Sequence, residues 1–144
     1  MSETPFRITG LDHLVLRVRD LDRMVRFYCE VLGCRVERVQ AELGLTQIRA
    51  GRSLIDLVTV GGKLGRIGGA APGKEGRNLD HFCITVDGYD EARIRAYLTA
   101  RGVEIGEAGQ RYGAEGDGPS LYISDPEGNV VELKGPPTTP AKKA

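Results

Sequence analysis

Two histidines and two acidic residues stand at matched places in this chain. Leu11-Asp12-His13 recurs 68 residues later as Leu79-Asp80-His81, and Ile55-Asp56-Leu57 is matched by Val131-Glu132-Leu133. The chain holds only 2 histidines, and both fall inside the repeat. Imidazole nitrogens and carboxylate oxygens together suit a divalent ion with water completing its shell. Carboxylates that face inward are costly unless paired or bound to a cation. His13, Asp56, His81 and Glu132 are therefore the candidate ligands of one divalent metal ion; Ni, Mn, Fe and Zn fit the set equally well. Such an ion could chelate neighbouring oxygens of a substrate and stabilise an enediolate, while a carboxylate beside it moves the proton. Glu132 is the first candidate for that base and Asp56 the second.

The elements that must position these residues follow from the pattern around them. After His13 comes the β-rich run 14–18, and after His81 the run 82–86. A helical spacing follows each: Leu21, Met24, Val25, Tyr28, Val31 and Leu32 in the first half, Ile94, Tyr97 and Leu98 in the second. Asp20 is the candidate N-cap of the first and Asp87 or Asp90 that of the second, and Gly33 and Gly102 supply the stops. Strand patterns then run over 34–39, 45–50 and 54–60, and over 103–105, 120–124 and 130–134. The last two are joined by the turn Asp125-Pro126-Glu127-Gly128-Asn129. Each half reads β-α-β-β-β, which makes the chain an α+β protein of two paired βαβββ modules forming a curved mixed sheet around a cleft. The divisions are an N-terminal arm (1–7), a first module (8–60), a linker rich in Gly and basic residues (61–78), a second module (79–134) and a tail (135–144) expected to be disordered.

Strand side chains alternate between faces. With Leu14, Leu16 and Val18 turned to the helices, His13, Val15 and Arg17 face the cleft. By the same parity His81, Cys83 and Thr85, then Val130, Glu132 and Lys134, face it from the second half, and Asp56 joins them from the fourth strand. Arg17 and either Arg111 or Tyr112, in the Gly-rich stretch 110–119 read as a loop, are candidate contacts for an anionic substrate. Lys63, Arg66, Lys74 and Arg77 of the linker read as solvated, or as a lid over an anion.

At these residues the sequence resembles the vicinal-oxygen-chelate superfamily of glyoxalases, extradiol dioxygenases, fosfomycin-resistance and bleomycin-binding proteins. The run Leu11 to Val18, the helix end Phe27-Tyr28-x-x-Val31-Leu32-Gly33 and Asp125-Pro126-x-Gly128-Asn129-x-x-Glu132 carry the likeness, which spans about residues 8–134. It implies paired modules, metal positions at His13, Asp56, His81 and Glu132, and a homodimer. Asp56 departs from the Glu usual in glyoxalase I, and Val60 replaces an Asn of the bacterial pattern. The arginine equivalent to Arg17 holds a carboxylate of glutathione in that family.

The expected function is a divalent-metal-dependent enzyme of the glyoxalase-like type with lyase or isomerase chemistry on a small molecule. The alternatives are an Fe(II) extradiol-type dioxygenase, since His13, His81 and Glu132 alone make a two-histidine, one-carboxylate set, and a non-catalytic protein that sequesters a small molecule such as an antibiotic. In 144 residues, 20 Lys+Arg balance 20 Asp+Glu, so a nucleic-acid partner bound by bulk charge is disfavoured. No apolar run approaches a membrane span and no signal sequence is visible. Three scattered cysteines, Cys29, Cys34 and Cys83, read as reduced, and the expected location is cytoplasmic.

Overall fold

The computed structural model describes residues 4–142. The first module contains β1 (His13–Val18), α1 (Leu21–Arg26), β2 (Arg35–Gln40), β3 (Leu45–Ala50) and β4 (Ser53–Thr59). The second contains β5 (Phe82–Thr85), α2 (Glu91–Ala100), β6 (Glu104–Gly113), β7 (Gly116–Ser124) and β8 (Val130–Lys134), and a two-residue β9 (Thr139–Pro140) follows. Each module builds its own sheet, in the orders β1-β4-β3-β2 and β5-β8-β7-β6. In both, the first strand lies parallel to the last and the remaining neighbours are antiparallel. The repeat inferred from the sequence is thus a repeat of topology.

The helices begin where the expected caps stand. Asp20 accepts from the Arg23 amide and Asp90 from the Arg93 amide, each at 3.1 Å. The first helix is not a regular α-helix to residue 32, however. It continues from Arg26 as a π-helical stretch over Phe27–Val31. Within it both Phe27 and Tyr28 are buried, with their rings edge to face at 5.1 Å.

One core joins the modules. Leu16, Val18, Met24, Tyr28, Ile48 and Leu57 of the first pack in the same cluster as Leu98, Leu121, Ile123 and Val131 of the second. A buried polar tie reinforces it. The Tyr28 hydroxyl donates to Asp125 at 2.8 Å, and Asp125 also accepts from the Glu127 and Asn129 amides and the Asn129 side chain. The Asp-Pro-Glu-Gly-Asn turn is therefore the anchor between α1 and the second sheet as well as a hairpin connection.

The α+β class with two βαβββ modules holds, the modules forming separate sheets joined in one core. Two expectations are revised. Residues 110–119 are not a loop: β6 runs to Gly113 and β7 starts at Gly116, a long hairpin. Gly106, Gly109 and Gly113 had hidden the strand by removing its alternating side chains. The tail, where it is described, is partly ordered, since Thr139 and Pro140 pair with Asp117 and Gly116 of β7. The first residues of the N-terminal arm and the last residues of the tail (1–3, 143–144) lie outside the described residues.

Candidate metal centre

Strand register sets which of the candidate side chains share a face. In β1 and β4 the register pairs Val15 with Asp56, so His13, Val15, Arg17 and Asp56 share one face of the first sheet. In β5 and β8 it pairs Cys83 with Glu132, placing His81, Cys83 and Glu132 on the equivalent face of the second. Leu16, Val18, Ile55 and Leu57, and Val131 with Leu133, lie on the opposite, buried sides.

In the first half-site His13 is half exposed, and its Nδ1 meets the Asp12 carboxylate at 2.6 Å. That hydrogen bond, then the charge of Asp56, raises the His13 pKa above the ordinary imidazole value. Asp56 is buried, and its side-chain hydrogen-bond partner is the Gln47 amide, which donates to both oxygens at 3.2 and 3.3 Å. The second half-site repeats the plan. His81 Nδ1 meets the Asp80 carboxylate at 2.6 Å, and His81 Nε2 lies 3.5 Å from the buried Glu132 carboxylate. The Cys83 thiol donates to Glu132 at 3.4 Å; burial first, then the Glu132 charge, push that thiol up to about 12, so it stays protonated. Tyr122, paired in register with Glu132, stands where Gln47 stands beside Asp56.

Asp12 and Asp80 do the same work in both halves. A carboxylate on Nδ1 fixes the ring and leaves Nε2 as the free nitrogen, the arrangement typical of metal-binding histidines. Their sequence signal was the full Asp-His pair in the repeat, of which only the histidine had been assigned a role. Gln47 and Tyr122 had no signal at all, since cross-strand partners depend on register.

The four candidate ligands form two pairs and not one quartet. His13 stands with Asp56, and His81 with Glu132; among the described residues no three His, Cys, Asp or Glu side chains gather closely enough to hold an ion. Each pair lies by a sheet edge, β1 in one sheet and β5 in the other, and neither edge has a strand partner among the described residues. A buried Asp56 carboxylate held only by a neutral amide and a half-exposed imidazole beside it make a donor set that fits a divalent cation, yet half of one.

The candidate substrate contacts divide. Arg111 lies on the cleft face, with its guanidinium 4.5 Å from the centre of the Tyr122 ring and donating to Ser120 at 2.8 Å. Nearby, the buried Lys134 ammonium donates to the Arg111 and Gly118 carbonyls. Tyr112 pairs with Asp117 and alternates to the other side of the hairpin from Arg111, with 67% of it exposed. Arg17 does share the face of Asp56, but its guanidinium is engaged by the Gly65, Gly69 and Ala70 carbonyls at 2.7–3.0 Å. It is a staple for the linker. The fit is close: a Cβ on Gly65 would lie 1.9 Å from the Thr59 carbonyl oxygen. Arg17→Met is expected to free this segment and to speed tryptic cleavage at Lys63 and Arg66 at least about fivefold, through local opening. Unchanged cleavage would show that the staple does not hold the linker.

A family model for the glyoxalase/bleomycin resistance protein/dioxygenase superfamily matches residues 10–133. The chain belongs to that superfamily. Within it, this glyoxalase-superfamily chain is 29% identical over 132 residues to the virulence protein STM3117 of Salmonella typhimurium, covering 88% of this chain and 83% of the relative. The crystal structure of STM3117 superposes with a TM-score of 0.72 over 91% of this chain and 99% of that one. A catechol-2,3-dioxygenase of Bacillus subtilis is 28% identical over 126 residues, 87% of this chain, but the chain spans only 41% of that relative. The lactoylglutathione lyase of Agrobacterium tumefaciens, 19% identical with a TM-score of 0.61 over 92% and 96% of the two chains, shares the fold. No helix among the described residues is long and apolar enough to cross a membrane.

Proposed function

We propose that this chain is a divalent-metal-dependent enzyme of the glyoxalase-like type, active as a homodimer on a small anionic substrate. In this reading His13 and Asp56 of one copy and His81 and Glu132 of a second hold one ion. The observation that carries it is the division of the donors into two equivalent half-sites, each with one imidazole and one buried carboxylate beside an unpaired strand edge. A two-fold dimer brings unlike halves together twice, giving two equal sites.

When bound, the ion supplies a Lewis acid for two neighbouring substrate oxygens as negative charge develops on them. The protein does the rest. Glu132, buried and in reach of His81 Nε2, takes the proton from the carbon beside those oxygens and returns it elsewhere; Asp56 is the second carboxylate able to do so. Arg111, held against Tyr122, and the buried Lys134 place positive charge on the same face and orient an anionic group. Asp12 and Asp80 keep both imidazoles aimed. Cys83 stays a neutral donor to Glu132 and is no nucleophile. Three neutral thiols suit a reducing, cytoplasmic setting.

The likeness to a catechol-2,3-dioxygenase favours a second reading, ring cleavage with Fe(II) bound by His13, His81 and Glu132. Titration of metal-free protein with Ni(II), Mn(II), Fe(II) and Zn(II), followed by assays on methylglyoxal with a thiol and on catechol, separates the two. The proposal expects one ion per chain at micromolar metal and turnover of the aldehyde–thiol adduct. Metal binding with catechol cleavage alone supports the second reading, and absence of metal binding contradicts both.

A further inference from the structure

A polar cavity lies between the end of β1, the linker and the turn before β8. It has a volume of about 220 Å³ and is lined by Arg17 and Arg19 at the end of β1, by Lys74 and Arg77 of the linker, and by the Glu127 turn. Its lining thus includes four basic residues and one acidic residue, in a chain whose overall formal charge is zero. The positive charge is local and is not a consequence of bulk composition.

The donors differ in how far they are already engaged. Arg17 is occupied by linker carbonyls. Glu127 does not neutralise the arginine side chains by direct pairing; its two oxygens accept from the Arg19 and Asp20 backbone amides at 2.8–2.9 Å. Arg77 gives one N–H to Asp80 at 3.2 Å, in a pair with both partners well exposed. Such an exposed pair exchanges readily for another anion, and a guanidinium has five donors. The cavity floor is rigid: Asn78 donates to the Arg17 carbonyl and to Asn129 and accepts from the Arg17 amide, holding strand, linker and turn together.

We propose that this cavity is a binding site for the phosphate or diphosphate group of a small metabolite, held by Arg19, Lys74 and Arg77. The charge selects an anion. The volume, room for about seven waters, takes one or two phosphate groups and excludes a folded macromolecule. A lining that includes one lysine and two arginines besides Arg17 favours a multiply charged oxyanion over a monocarboxylate. The lining does not include Arg111 or the proposed metal ligands, and through Arg77 it adjoins Asp80, the carboxylate on His81.

Calorimetric titration of the full chain with inorganic phosphate, pyrophosphate and acetate tests this. Saturable binding of pyrophosphate or phosphate is expected, weakened at least tenfold in the Arg19→Gln/Lys74→Gln double variant and unchanged in Arg52→Gln, an exposed arginine outside the cavity. Thermal melts confirm that both variants are folded; if the double variant is not, Lys74→Gln alone serves, with a weakening of at least threefold expected. No saturable binding, equal binding of acetate, or binding of wild-type strength in the folded Arg19/Lys74 variants would overturn the proposal.

Discussion

Glu132→Gln is expected to reduce metal affinity by more than about 100-fold while the protein stays folded. The comparison is with groups that only support a ligand, whose loss costs about 10–100-fold. Glutamine keeps the size of the side chain but removes the negative charge and one strong acceptor. Glu132 is buried, contacts His81 and Cys83, and stands in register with Tyr122. An amide at this place can still accept from Cys83, so packing is preserved. Metal content after dialysis against micromolar metal, read beside a thermal melt, checks the expectation. Wild-type metal content in the variant would remove Glu132 from the ligand set, and with it the acid–base role.

Asp125→Ala is expected to act on stability instead. It removes the shared acceptor of Tyr28, the Asn129 side chain and the Glu127 and Asn129 amides, in a place where Asp125 is 4% exposed. Buried donors left without a partner cost about 1–3 kcal/mol each, part of which relaxation recovers. The loss should be about 3 kcal/mol, which lowers the melting temperature by roughly 10 °C in a chain of this size. Tyr28→Phe, which deletes one donor, should cost about 1 kcal/mol. Burial raises the Asp125 pKa above the ordinary carboxylate value, and the four donors only partly offset this. The folded state therefore holds the proton more tightly than the unfolded chain. The favourable contribution of Asp125 is complete below the ordinary carboxylate pKa and declines as the pH rises through its own raised value. The gap in stability between wild type and Asp125→Ala should accordingly narrow from acid toward neutral pH. Chemical denaturation at several pH values measures it, and a gap that widens would contradict the assignment of burial as the dominant cause.

What the sequence made legible depended on side chains that repeat. The Leu-Asp-His and hydrophobic-acid-hydrophobic echoes located both His-carboxylate pairs, because a period-2 strand forces His13 and Asp56, or His81 and Glu132, onto one face once the core face is known. The helix caps Asp20 and Asp90 were legible for a local reason, a short oxygen-bearing side chain ahead of an apolar run. The length of β6 was not, since Gly106, Gly109 and Gly113 carry no alternation. The engagement of Arg17 by the linker was also hidden. Its position on the cleft face was read correctly, but the carbonyls that hold it come from 48–53 residues away. Pairing of the halves within one chain or between two left no trace in composition or spacing, because both arrangements need the same strands.

That pairing is the claim on which the enzymatic account rests, and mixing two inactive variants tests it directly. His13→Ala and His81→Ala each damage every site in their own dimers. If unlike halves come from different copies, a mixed dimer holds one site with both substitutions and one with neither. Unfolding and refolding an equimolar mixture should then restore about a quarter of the wild-type metal sites, since half the dimers are mixed and each has one intact site of two. Metal content that stays at the level of the separate variants, in mixtures shown to contain mixed dimers, would contradict a site shared between two copies.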